Sequence, residues 1–172
     1  MSPQNVLNVN DTKPKFMKKY LAAFVFLFII YTASAQESQT YNRAIGVKFP
    51  AGFAITYKQF VTDRNNVEGE AMFWSSGFRA VGLYEFNFDI EGVDGLRWYV
   101  GPGAHIGFWN HDYQQRKNIS SAGFGIDGVL GLDYKLADYP INVSVDWQPA
   151  VDLVGSSGFT PAYGGIGIRY TF

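Results

Sequence analysis

The sequence predicts an all-β fold, an eight-stranded antiparallel barrel of up-and-down order, on three observations. Downstream of residue 35 the side chains alternate in kind, one residue at a time, over long segments. No stretch there repeats apolar residues at the three-and-four spacing of an amphipathic helix. The alternating segments number eight, an even number, and short turn-type segments join them.

The first three strands are short: 43–49, 53–60 and 67–74. The fourth, 78–88, sets Phe78, Tyr84, Phe86 and Phe88 against Arg79, Glu85 and Asn87. In the fifth, 96–109, the apolar face is Leu96, Trp98, Val100, Ala104, Ile106 and Phe108, and the opposite face carries Arg97, Tyr99, His105 and several glycines. The sixth, 122–136, sets Phe124, Ile126, Leu130, Leu132, Tyr134 and Leu136 against Asp127, Asp133, Lys135 and glycines. The seventh, 141–151, sets Ile141, Val143, Val145, Trp147 and Val151 against Asn142, Ser144, Asp146 and Gln148. The last runs to the C-terminus, with Ile166, Ile168, Tyr170 and Phe172 on one face and Gly165, Gly167, Arg169 and Thr171 on the other. The longest connections, 110–121 and 153–161, read as loops. Pro102 and Pro149 lack a ladder donor and are expected to mark bulges or bends.

Alternation does not say which face is inside. A soluble barrel of the lipocalin-like carrier type turns its apolar face inward, whereas a membrane barrel turns it outward. Glycine crowds the polar face here, at positions 101, 103, 107, 123, 125, 131, 165 and 167. That fits the narrow interior of an eight-stranded barrel, where small residues must sit beside large ones. Aromatic residues gather near the strand ends, as at the two interfaces of a bilayer. The better-defined strands reach the roughly 9–11 residues that a tilted spanning strand needs. The expectation is therefore apolar outward, with the two longest loops on the outer side.

The N-terminal part reads differently. Lys13, Lys15, Lys18 and Lys19 precede an unbroken apolar run at 21–30, and Ala33-Ser34-Ala35 follows. This is the order of a secretory signal, with cleavage set by Ala33 and Ala35 and expected before Gln36. The run is about half the roughly 20 residues of a membrane-spanning helix. Met17-Lys18-Lys19 would start a compact signal by itself. The expected organisation is an N-terminal extension and cleaved signal at 1–35 and one barrel domain at 36–172.

With the signal ending in Ala33-Ser34-Ala35 and the closing strand Gly164-Gly165-Ile166-Gly167-Ile168-Arg169-Tyr170-Thr171-Phe172, the chain resembles the small eight-stranded outer-membrane barrels of Gram-negative bacteria, the OmpA/OmpX-like class. The resemblance implies residence in the cell outer membrane. It also implies that Ile168, Tyr170 and Phe172 form a signal for the outer-membrane assembly machinery. It carries no catalytic residue.

The inward face is expected to hold Lys48, Lys58, Arg79, Arg97, Lys135 and Arg169 against Glu68, Glu70, Glu85, Asp89, Asp127, Asp133, Asp146 and Asp152. The set Lys48, Glu70, Arg79, Glu85, Arg97, Asp127, Asp133, Asp146 and Arg169 is read as a structural salt-bridge network that fills the lumen, because an unpaired buried charge is costly. A wide pore is not expected from eight strands.

The chain has no Cys, two His and a formal charge of −1, which offers no Cys/His metal cluster and no basic field for nucleic acid. No catalytic residue, metal or cofactor is expected. The expected partners are outer-membrane lipid, the assembly machinery and an extracellular ligand of unknown kind, and the chain is expected to be a monomer. The function read from these features is a structural or surface-binding role through the outer loops. Two alternatives stand beside it. One is an outer-leaflet lipid A-modifying enzyme, for which His111, Asp112, Ser120 and Ser121 have suitable chemistry. The other is the soluble periplasmic carrier.

Overall fold

A computed structural model of the chain describes residues 41–172 apart from 119, 156, 157 and 162. The expected signal and its cleavage residues Ala33 and Ala35 lie outside the described residues.

The described chain is built almost wholly of antiparallel strands: β1 (Arg43–Pro50), β2 (Phe53–Phe60), β3 (Asn65–Trp74), β4 (Gly77–Asp89), β5 (Leu96–Trp109), β6 (Ala122–Lys135), β7 (Ile141–Trp147), β8 (Ala150–Val154), β9 (Gly158–Thr160) and β10 (Gly165–Thr171). Each strand from β1 to β6 pairs with the next, β6 pairs with β7 and β8, β7 pairs with β10, and β10 returns to β1. Pairing of β5 with β6 completes the ring. β7 and β8 follow one another along the same edge of β6, and β9 leads into β10, so the ten segments make eight barrel strands in up-and-down order.

Closure removes the edges of the ring, and among the described residues only the short β9, which pairs with β8 alone, keeps a free edge. The seam is made by β1 and the last residues of the chain: the backbone N–H of Arg43 donates to Phe172 at 3.0 Å, and that of Phe172 donates back to Arg43 at 2.9 Å.

The strands depart from the sequence reading most at the two prolines and in the segment 153–161. The seventh strand is broken at Gln148 and Pro149, and the carbonyl of Pro149 accepts from the Gly128 N–H at 2.9 Å. Proline has no N–H to donate, so the ladder lapses there. Pro102, by contrast, causes no shift: Leu83 opposite Gly103 and Phe86 opposite Val100 keep one register on either side of it. The segment 153–161 is not a simple loop. β8 continues to Val154, and β9 folds back on it, with Val151 opposite Phe159.

The loop after β5 contains a helix that the sequence reading lacks, α1 (His111–Lys117). Asn110 caps it by accepting from the Tyr113 N–H at 3.0 Å. Asp112 lies in its first turn, Arg116 and Lys117 lie in its last, and Asn118 ends it in the left-handed conformation. None of its residues is buried, so it has no apolar stripe for a periodicity search to find.

The burial pattern alternates strictly along the wall. Large apolar side chains point outward and are exposed, among them Ile45, Ile55, Ile106, Ile126, Leu130, Val145, Ile166 and Ile168. The interior holds charges instead: Arg169, Lys48, Lys58, Glu68, Glu85 and Asp133 are among the largest fully buried side chains. Aromatic pairs mark both ends of the outer wall. Phe73–Phe78 and Phe78–Phe108 lie at the end that carries α1, while Phe88–Trp98, Tyr84–Phe86 and Tyr170–Phe172 lie at the opposite end, where β1 starts and β10 finishes.

Candidate functional site in the barrel lumen

Strand alternation aims one residue in two at the lumen, and register decides which of them meet. The central layer begins with Lys48 on β1. Its ammonium pairs with Glu70 on β3 and, at 2.9 Å, with Asp146 on β7. Lys58 on β2 lies among three carboxylates: Glu85 at 2.9 Å, Glu68 at 3.3 Å and Asp133 at 3.6 Å. Arg169 on β10 reaches Glu68 across the barrel, and it donates through Nε to Thr56 at 2.9 Å and through Nη1 to Ser144 at 2.7 Å. These contacts join strands on different sides of the ring, so the side chains cross the lumen and fill it.

Neutral groups complete the layer. The Tyr99 hydroxyl donates to Asp146 at 2.9 Å, and its ring lies 4.3 Å from the Lys58 ammonium. Asn142 donates to Asp133 at 2.8 Å, and Tyr41 donates to the same carboxylate oxygen at 3.1 Å. Tyr41 precedes β1; its burial, and then the charge of Asp133, push its hydroxyl well above the ordinary phenol range. A small apolar cluster, Ala54, Met72, Val81, Leu83, Tyr99 and Val129, lies beside the charges.

Nearer the end that carries α1, Arg79 on β4 pairs with Asp127 on β6. His105 on β5 stands between two carboxylates, with Nδ1 2.7 Å from Asp127 and Nε2 2.8 Å from Asp152. At the opposite rim, Arg97 pairs with Asp89. Lys135 is only half-buried, and its ammonium donates to the backbone carbonyls of Leu136 at 2.6 Å and Tyr139 at 2.8 Å.

All nine residues read from sequence as a lumen network thus point inward and are buried, and each has a charged partner there. Lys58 and Glu68, which alternation also placed inside, are the junctions of the central layer. Alternation does not reveal the pairing, because that depends on register between strands distant in sequence.

The terminal residues Ile168, Tyr170 and Phe172 lie on the outer wall, exposed, with the Tyr170 and Phe172 rings stacked at 6.3 Å. His111 and Asp112 occupy the first turn of α1, where the His111 ring meets the Gln115 amide at 2.9 Å. The backbone carbonyl of Ser121 accepts from the Trp109 N–H at 2.9 Å, a contact that closes the loop.

No family model matches this chain. A search of curated proteins found no relative of it.

Proposed function

We propose that the chain is an exported outer-membrane β-barrel whose charged lumen closes it to passage, and that it acts as a structural or surface-binding protein through its outer end. The observation that carries this reading is the inverted distribution of side chains. Ion pairs fill the lumen, while isoleucine, leucine, valine and aromatic residues cover the outside. In water, so wide an apolar surface would be an aggregation liability; in a bilayer it is the favoured face. Aromatic rings at both ends of this wall match the two membrane interfaces. A soluble carrier of an apolar ligand needs the opposite arrangement, with an apolar interior to receive its cargo.

With the start of β1 and the end of β10 on the periplasmic side, α1 faces outward, at the end where a binding partner would be met. The test is fractionation of cells that make the full chain. The expected result is a mature protein beginning at Gln36, found in the outer-membrane fraction, resistant to carbonate extraction, and faster on a denaturing gel unheated than boiled. Recovery of folded protein from the soluble periplasmic fraction would refute the reading.

A further inference from the structure

The end of the barrel that carries α1 is not flush. A cavity of about 210 Å³ opens there. Its walls are aromatic: Trp74, Trp109, Tyr113 and Tyr163. Trp74 and Trp109 are inward residues by strand parity, placed at the last turn of the wall before the loops. The floor carries Arg79, His105 and Asp152, all more than nine-tenths buried. Beneath it the ion pairs of the lumen close the way through, so the cavity is a blind pocket.

The lining sets this pocket apart from the packed network below. Arg79 uses one guanidinium nitrogen for Asp127, while Nε and Nη1 are buried and meet no acceptor among the described residues. In addition, the open space is bounded by ring faces. Tyr163 lies over the Arg79 guanidinium at 3.7 Å and against Trp74 at 5.9 Å, and the Trp109 indole covers Gly107 and Gly123, where any Cβ would fall within 3.2 Å of it. Those glycines let the indole lie along the wall and leave the pocket open.

We infer that this pocket binds a single neutral sugar ring. Its volume is below the roughly 300–1,000 Å³ of sites for drug-sized ligands, so the occupant is small. Aromatic faces suit the C–H faces of a pyranose. The floor has both signs of charge, Arg79 and Asp152, and a charged ligand would be repelled by one of them. A polyhydroxylated ring can give hydrogen bonds to the Asp152 carboxylate at the floor. That the pocket faces the cell exterior rests on the membrane reading above; the site itself rests only on the folded barrel.

The test uses the full chain refolded in lauryldimethylamine oxide, which has no sugar headgroup to compete. Glucose, galactose and N-acetylglucosamine are titrated by saturation-transfer NMR, with benzoate and benzamidine as charged ring-shaped comparators. The expected result is saturable binding of at least one hexose with a dissociation constant of about 1–10 mM, as suits a ligand of one ring. Asp152→Asn or Trp109→Ala weakens it by about tenfold or more, while Gln115→Ala on the exposed face of α1 leaves it unchanged. Faster migration of unheated protein establishes that each variant is folded.

No saturable hexose binding to the folded barrel, tighter binding of either charged comparator, or hexose binding unaffected by both pocket variants would overturn the inference. Hexose binding by a protein that fractionates away from the outer membrane would leave the site standing and refute the membrane reading alone.

Discussion

Tyr99 on β5 lies directly opposite Gly131 on β6, and its ring occupies the space where a Cβ on residue 131 would stand, 2.5 Å from Tyr99 Cζ. The same pairing of a large inward side chain with a cross-strand glycine recurs around the ring. Lys48 faces Gly167, Arg169 faces Gly46, Arg79 faces Gly107 and His105 faces Gly125. The glycines of the inner face are thus the complement of its large residues, and together they fill a lumen of fixed width.

The Tyr99–Gly131 contact predicts the effect of adding one methyl group. Gly131→Ala brings a Cβ within 2.8 Å of Tyr99 and of the Asp146 Cβ, and overpacking of this kind costs about 1–3 kcal/mol. Gly82→Ala on the outer face meets nothing within 4 Å and is expected to change stability by no more than about 0.5 kcal/mol. Urea-unfolding midpoints of the two variants, refolded in vesicles and followed by tryptophan fluorescence, check the contrast. Equal midpoints would contradict the packed lumen.

Lys58 supports the central layer. Lys58→Met removes the cation that faces Glu68, Glu85 and Asp133; Glu68 keeps Arg169, but Glu85 and Asp133 lose their cation, at an expected cost of about 3–5 kcal/mol. Lys135→Met loses only contacts to backbone carbonyls at the half-buried rim and should cost much less. The same unfolding measurement compares them; a Lys135 effect as large as that of Lys58 would contradict the ranking.

Deleting Phe172 separates assembly from stability. The backbone of Phe172 makes two hydrogen bonds with Arg43 at the seam, and its ring lies on the outer wall against Tyr170. Removing one terminal residue takes away little packing, so refolding into detergent micelles in vitro is expected to remain largely intact. If the terminal strand is read by the assembly machinery, the folded, heat-modifiable form in cells falls sharply. Normal membrane levels of the deletion variant would leave Phe172 as an interfacial anchor alone.

The barrel was legible in the sequence because its wall repeats every two residues without regard to distant contacts. Phe124 to Tyr134, or Ile166 to Phe172, show which residues share a face from spacing alone. The inward charges were legible for the same reason. What alternation could not supply was register. That Arg169 meets Glu68, or that His105 falls between Asp127 and Asp152, follows from pairing of strands far apart in the chain. Two local features also escaped. α1 is short and polar all round, with its caps as its only signal, and the break at Gln148 and Pro149 looks in sequence like a strand that continues. Trp74 and Trp109 at the mouth share the parity of the inward charges, so alternation alone sets them apart from the aromatics of the outer wall.

If the barrel lies in a bilayer, its apolar outer wall meets lipid, and residue-specific labelling decides this. The sequence has no cysteine, so each probe needs one substitution. Ile168→Cys places a thiol on the outer wall between Val47 and Val143, Ser144→Cys places one in the lumen, and Gln115→Cys places one on the exposed face of α1. Each variant is refolded in phospholipid vesicles and treated with a lipid-dissolved maleimide and, separately, with a membrane-impermeant sulfonated one. Position 168 is expected to react with the lipid-dissolved reagent alone, position 115 with the impermeant reagent, and position 144 with neither. Ready reaction of position 168 with the impermeant reagent, in protein shown to be folded, would contradict a lipid-facing wall.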